Sequence, residues 1–132
     1  MSAVLDTHTV LWYLEKSQEL SALARTTIEE AIREARDVYV SAISLVETVY
    51  LVERRRLPLT ALERLRSALS ESNSGLFVAS VDAGVADALQ NIPRDHVPDM
   101  PDRIIAATAL HLGLPLVTRD RRLQAAGIQT IW

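Results

Sequence analysis

Short apolar runs that alternate with amphipathic stretches constrain the fold of this chain more than any other feature. Ser2-Ala-Val-Leu5 suits a strand and gives way at once to polar Asp6-Thr7-His8-Thr9, after which Val10-Leu11-Trp12-Tyr13-Leu14 starts a helix. Strand, polar turn and helix open a βαβ unit. Ser21 can cap a helix running to about Asp37 on a stripe of Leu23, Ile28, Ala31 and Ile32. Val38-Tyr39-Val40 reads as a second strand, Ser44 opens a third helix to about Arg54, and Pro58 breaks the chain. Thr60-x-x-Glu63 has the pattern of a capping box for a fourth helix. The turn Asn73-Ser-Gly75 leads to a third strand, Leu76-Phe77-Val78-Ala79, and Asp82 can cap a helix reaching Gln90. After a loop with Pro93, Pro98 and Pro101, Arg103 to Leu112 is helical and ends at Gly113. Leu114 to Val117 is the fourth strand, Asp120 to Ala126 a short helix stopped by Gly127, and Ile128 to Trp132 the last strand. This alternation predicts an α/β fold, a three-layer α/β/α sandwich around a mostly parallel sheet, with residues 1–132 forming one domain.

Composition narrows the function classes. A chain of 132 residues can bury one continuous core, and 48% hydrophobic with 23% charged residues is ordinary for a globular protein. No run approaches the roughly 20 apolar residues of a membrane helix, and the first apolar stretch contains Asp6 and lacks a basic flank. No membrane partner is expected. The absence of cysteine removes disulfides and thiolate metal sites and suits a reducing cytoplasm. A net charge of −3 argues against a general nucleic-acid coat protein. Of the 14 cationic residues only Lys16 is lysine, and arginines cluster at 54–56, at 64 and 66, and at 119, 121 and 122. Arginine binds phosphate bidentately, so such patches could hold RNA; a genome that encodes arginine in place of lysine would leave the same trace.

The topology points to chemistry. In open α/β sheets ligands bind beyond the carboxyl ends of the strands. Asp6 directly follows the first strand, Glu47 falls in the first turn of the helix after the second, Asp102 starts the helix after the proline-rich loop, and Asp120 follows the fourth strand. Carboxylates crowded together raise each other's pKa, so a proton or a cation must join them. Magnesium favours oxygen ligands, and on a phosphate substrate it can orient a water and offset transition-state charge. The same acids have structural readings. Ser44-Leu-Val-Glu47 is itself a capping-box pattern, and Asp102 and Asp120 stand where helix N-termini favour acids. Asp6 resists such an explanation, because an acid after an apolar strand is costly unless a neighbour such as Thr7 or His8 compensates it.

Four segments carry a family resemblance: Val4-Leu5-Asp6-Thr7-His8-Thr9-Val10-Leu11-Trp12, Ser41-Ala-Ile-Ser44-Leu-Val-Glu47, Asp99-Met-Pro-Asp102-Arg103-Ile-Ile-Ala106, and Leu116-Val117-Thr118-Arg119-Asp120. In this order they resemble the PIN-domain family, and specifically its VapC-type toxins. The resemblance implies that Asp6, Glu47 and Asp102 hold magnesium or manganese and that Asp120, the fourth catalytic acid, acts on the metal through water. It also implies that Thr118 supports the site and that Asp99 falls where many members carry an acid. It further implies RNA hydrolysis, a homodimer, and silencing by a small VapB-type antitoxin. Thr7 and Ser44 join as supporting hydroxyls, and Arg103, Arg119, His8 and Asp99 as candidates for contact with RNA.

The remaining candidates are weaker. His96 could touch RNA from its loop, His111 reads as structural, and Trp12 as core. Apolar residues between Thr48 and Leu69 could receive an antitoxin helix or strand. Two other functions compete. Asp6-Thr-His-Thr also resembles the nucleophile strand of haloacid-dehalogenase phosphatases, acting on small phosphate esters, but position 8 is not the second aspartate that family needs. A non-catalytic RNA-binding module on the same fold is the other.

Overall fold

The computed structural model describes residues 1–132. Its strands are β1 (Ala3–Leu5), β2 (Val38–Ser41), β3 (Leu76–Ala79), β4 (Leu116–Val117) and β5 (Thr130–Ile131). They form one sheet in the order β3-β2-β1-β4-β5, and every pairing is parallel. The sheet is therefore wholly parallel where the sequence predicts mostly parallel. Helices α1 (Thr7–Leu14), α2 (Ala22–Arg33), α3 (Ala42–Glu53), α4 (Leu59–Ser70), α5 (Ala83–Ala88), α6 (Met100–Leu112) and α7 (Arg121–Gln124) cover it, with a 3-10 turn at Leu89–Asn91. No helix is long and apolar enough to cross a membrane.

β1 shows why three layers form. Its residues are all buried, but they alternate between two cores. Ala3 and Leu5 pack with Val38, Val40 and Leu76 beneath Val10 of α1, Ile28 of α2 and Leu65 of α4. Val4 and Leu116 pack with Val85 of α5, Ile105 and Ala109 of α6 and Leu123 of α7. A side-chain period of two thus feeds both faces, as a buried parallel sheet requires. Burying one Leu or Val contributes about 1.5–3 kcal/mol, so this short central strand carries more of the core than its length suggests.

Several boundaries depart from the sequence reading. α2 stops at Arg33, and Ala35 turns left-handed (φ 56°). Leu23 is exposed, and Ala24 takes its place in the stripe with Ile28 and Ala31 at a 4-then-3 spacing. α3 is capped by Ser41, whose Oγ accepts from Ile43 N–H, so Ser44 lies inside the helix and Glu47 in its second turn. The capping-box reading of Ser44 and Glu47 is thereby overturned: β2 runs straight into the helix and brings Ser41 to the cap first. α4 starts at Leu59 with Pro58 at the N-cap and no side-chain cap, which places Thr60 beyond capping reach. α6 begins at Met100, earlier than Arg103, capped by Asp99 with Pro101 in the first turn. Proline is tolerated there because the first N–H groups of a helix have no partner inside it.

Candidate active site

The chain runs outward from β1 to β2 and β3, then returns to β4 and β5 on the other side of β1. This reversal leaves a crevice beyond the carboxyl ends of β1 and β4, where an open parallel sheet binds ligands. A cavity of about 600 Å³ opens there, lined by Asp6, Thr7, His8, Trp12, Glu47, Asp99, Asp102, Arg119, Asp120 and Arg122.

Asp6 is the hinge of the arrangement. It is only 8% exposed and caps α1: its Oδ1 accepts from Thr9 N–H at 2.8 Å. Its Oδ2 accepts from the hydroxyl of Thr118, which is fully buried past β4. The same Thr118 Oγ1 accepts from Asp120 N–H at 3.0 Å. One hydroxyl therefore fixes both acids at the crevice, as both donor and acceptor. Thr9 fastens the two strand ends again, donating through Oγ1 to Val117 O at 3.0 Å.

A second hydroxyl pair positions Glu47. Thr7 Oγ1 donates to Glu47 Oε1 and lies 2.8 Å from Ser44 Oγ, with Thr7 and Ser44 both buried. Thr7 and Ser44 thus lie beside Glu47, Ser44 touching Thr7 rather than capping a helix.

The acids meet from three directions. Carboxylate oxygens of Glu47, Asp99 and Asp102 lie within 4.8 Å of one another, while Asp6 and Asp120 line the same cavity. Asp99, the cap of α6, accepts from Asp102 N–H at 3.2 Å, so Asp102 is not the cap of its helix. Burial is the main cause that raises the Asp102 carboxyl to about 7, followed by the negative charges of Asp99, Glu47, Asp120 and Asp6. Burial also lifts Glu47 above its ordinary range; the Thr7 hydrogen bond opposes this and Asp99 adds to it. Asp120 caps α7, its Oδ1 accepting from Arg122 N–H at 2.8 Å.

The cations separate into two kinds. Arg119 and Arg122 line the cavity, Arg122 being a contributor the sequence reading did not single out. Arg103 does not line it. Its Nη2 donates to Leu89 O at 3.0 Å and Ile92 O at 2.9 Å, which ties the 3-10 turn to α6. Its expected contact with RNA is therefore corrected to a structural role. His8 lines the cavity beside Trp12, which is half-buried and belongs both to the edge of the core and to the cavity wall. His96 is exposed outside the cavity, and His111 packs against Gly84.

The donor set fits a hard divalent cation. Five carboxylates meet there with no sulfur ligand and a single imidazole, and oxygen-rich sets of this kind suit magnesium or manganese better than zinc.

Comparison with known proteins agrees with this architecture. The family model described as the PIN domain matches residues 3–128. The chain is 32% identical over 124 residues to Ribonuclease VapC22 of Mycobacterium tuberculosis, covering 94% of this chain and 91% of that protein. Among solved structures, VapBC2 from Rickettsia felis bound to a promoter DNA fragment is similar over 99% of this chain and 98% of that one, with a TM-score of 0.74 at 17% identity. FitAcB from Neisseria gonorrhoeae covers 98% and 96% with a TM-score of 0.67 at 26% identity. DNA-bound VapBC from Salmonella typhimurium covers 99% and 97% with a TM-score of 0.72 at 22% identity.

Proposed function

Since the chain belongs to the PIN-domain family, we propose that it is a magnesium-dependent endoribonuclease that hydrolyses RNA phosphodiester bonds as the toxin of a toxin–antitoxin pair. The observation that carries this reading is the meeting of Asp6, Glu47, Asp99, Asp102 and Asp120 at the reversal point of a parallel sheet. The similarity to a protein named as a ribonuclease, with matching fold and near-complete coverage, supports the activity. The solved relatives that are toxin–antitoxin complexes support a VapB-type antitoxin as partner.

Asp6, Glu47, Asp99 and Asp102 would hold magnesium, or manganese in its place, with Asp120 adding charge through its place beside Thr118. Bound there, the ion would orient a water for attack on the phosphate and offset the negative charge that builds in the transition state. The residues of the chain supply the rest. Thr118 and Thr7 hold Asp6 and Glu47 in fixed rotamers, so little reorganisation is needed as charge develops. Arg122 and Arg119 place positive charge at a cavity that would otherwise repel a polyanion. The protein acts in the cytoplasm, as a single domain that pairs with a second copy and is silenced by the antitoxin. Exposed Val46, Tyr50 and Leu59 leave apolar surface on α3 and α4 for those partners.

Incubation of the antitoxin-free protein with total cellular RNA tests the activity, with and without magnesium and beside Asp6→Asn. Discrete fragments that require both the metal and Asp6 are expected. A folded, metal-supplied protein that leaves RNA intact would instead favour a non-catalytic binding module, and an acyl-phosphate trapped on Asp6 a small-ester phosphohydrolase.

A further inference from the structure

Hydrolysis of a phosphodiester needs the acids of this cavity but not its aromatic wall. Trp12 is the one apolar residue that lines the cavity, and it meets two tilted rings and a guanidinium. Trp132 packs against it with ring centroids 6.0 Å apart, and His8 lies at 5.5 Å. The Arg119 guanidinium sits over the Trp12 ring, 4.4 Å from its centroid. An ion pair from Arg119 Nη1 to Glu19 at 2.6 Å holds the guanidinium there, with 52% of the Arg119 side chain still exposed. A surface ion pair of this kind contributes little to stability. What it accomplishes is geometric: a flat cation, already ordered on an aromatic ring, is presented to the cavity.

The acids shape what such a surface can bind. They repel a sugar-phosphate chain, so recognition gains most from the uncharged part of a nucleotide. Bases stack on aromatic rings and on arginine planes, and only unpaired bases are free to do so. We propose that Arg119 stacked on Trp12, with His8 beside them, is a nucleobase-stacking subsite that selects an unpaired nucleotide next to the cleaved phosphate. This deepens the ribonuclease reading and rests on it. The substrate class is RNA that is single-stranded at the cut: a loop, a bulge or a tail. Arg119 serves through its plane as much as its charge, and Glu19 is a positioning residue that keeps the plane on Trp12.

Binding of two fluorescein-labelled probes in EDTA at low salt tests this. One is an unstructured oligoribonucleotide of roughly 12 nucleotides and mixed sequence; the other is an abasic ribose-phosphate chain of equal length and charge. Charge effects are common to both, so the ratio of their Kd values isolates the bases. The wild type should bind the base-bearing probe about ten-fold or more tightly than the abasic one. Arg119→Lys keeps the charge and loses the plane, and Trp12→Leu stays apolar and loses the ring; each should bring the ratio close to one. Trp12→Phe should retain most of it. Arg119 is exposed, so Arg119→Lys decides the matter even where Trp12→Leu fails to fold. Equal binding of the probes by the wild type, or an undiminished ratio in Arg119→Lys, overturns the proposal. Cleavage of total RNA, run in parallel, separates it from the reading beneath it. A ratio lost in Arg119→Lys but no wild-type cleavage keeps the stacking site and removes the nuclease; magnesium-dependent cleavage with equal probe binding does the reverse.

Discussion

Replacing Asp102 by Asn should make the metal-free protein more stable, by an amount that grows as pH rises from about 3.8 to about 7. Asp102 is half-buried, and burial together with Asp99, Glu47, Asp120 and Asp6 lifts its carboxyl from 3.8 to about 7. That displacement corresponds to roughly 4 kcal/mol at 1.36 kcal/mol per tenfold change in proton affinity. Water still reaches the group, and screening reduces the expected effect to about 1–2 kcal/mol. The sign follows from linkage. The unfolded chain loses this proton near 3.8 and the folded chain near 7. Between those values the folded state holds a proton that the unfolded state has lost, so stability falls as pH rises through the window and the loss is complete above it.

Asn imitates the protonated acid and does not titrate. The variant and the wild type should therefore melt together near pH 3.8, where an ordinary aspartate titrates, diverge as pH climbs, and keep a constant gap above about 7. At roughly 3–5 °C per kcal/mol for a domain of this size, the variant should melt about 3–10 °C higher in EDTA at alkaline pH. Thermal melts by circular dichroism across this range supply the measurement. Magnesium should then raise the wild-type Tm and narrow the gap, because the variant has lost a charged ligand. Equal Tm values at alkaline pH, or a gap indifferent to pH, would refute the claim that burial, with the neighbouring carboxylates, makes the ionised Asp102 costly.

Other outcomes test other parts of the structure. Thr118→Val leaves Asp120 N–H without its acceptor and Asp6 Oδ2 without its donor; it should cost about 1–3 kcal/mol in urea unfolding and lower RNA cleavage, with Thr118→Ser restoring most of both. Arg103→Met should cost about 1–3 kcal/mol, because Ile92 O loses its guanidinium donor and Leu89 O keeps only Ile92 N–H, while kcat on RNA stays within about two-fold. A Cβ added at Gly84 would meet only the ring of exposed His111, which can swing aside, and Ala favours helix α5, so Gly84→Ala should change stability by no more than about 1 kcal/mol in the same assay. Leu5→Ala, at the centre of the sheet, should cost about 2–5 kcal/mol in the same unfolding assay.

What the sequence reveals and what it hides divides along local and non-local lines. Asp6 is legible because an apolar strand meets an acid without a spacer, and a helix starts at once behind it. The start of α3 misleads because Ser41 and Ser44 are both competent caps, and only the length of β2 decides between them. Pro101 reads as a breaker, yet in the first turn of α6 it costs no hydrogen bond, so the helix starts ahead of it. Arg103 adjoins a site acid in sequence but is about 100° away from it around the helix, so the residue that faces the carboxylates sends its neighbour elsewhere. The pairing of Arg119 with Trp12 has no local signal. It exists because β1 and β4, distant in the chain, are neighbours in the sheet.

The sequence also poses a false choice between capping and chemistry. Asp6, Asp99 and Asp120 each cap a helix with one carboxylate oxygen and line the cavity as well. Capping is how the acids are aimed: a side chain bonded to its own backbone a few residues on has few rotamers left, and the helix N-terminus offsets part of its charge. This dual use separates two substitutions that are often treated alike. Asparagine caps a helix about as well as aspartate, so Asp99→Asn and Asp120→Asn should stay folded and lose charge alone, whereas Asp6→Asn keeps its cap but sets an N–H donor against the Thr118 hydroxyl. Alanine removes the cap too, at about 1 kcal/mol per site, and Asp6→Ala also strands the buried Thr118 hydroxyl. Loss of function in the asparagine series with melting unchanged or improved would locate the role of these acids in charge. If only the alanine variants were impaired, in step with their melting temperatures, capping would be all that these residues do.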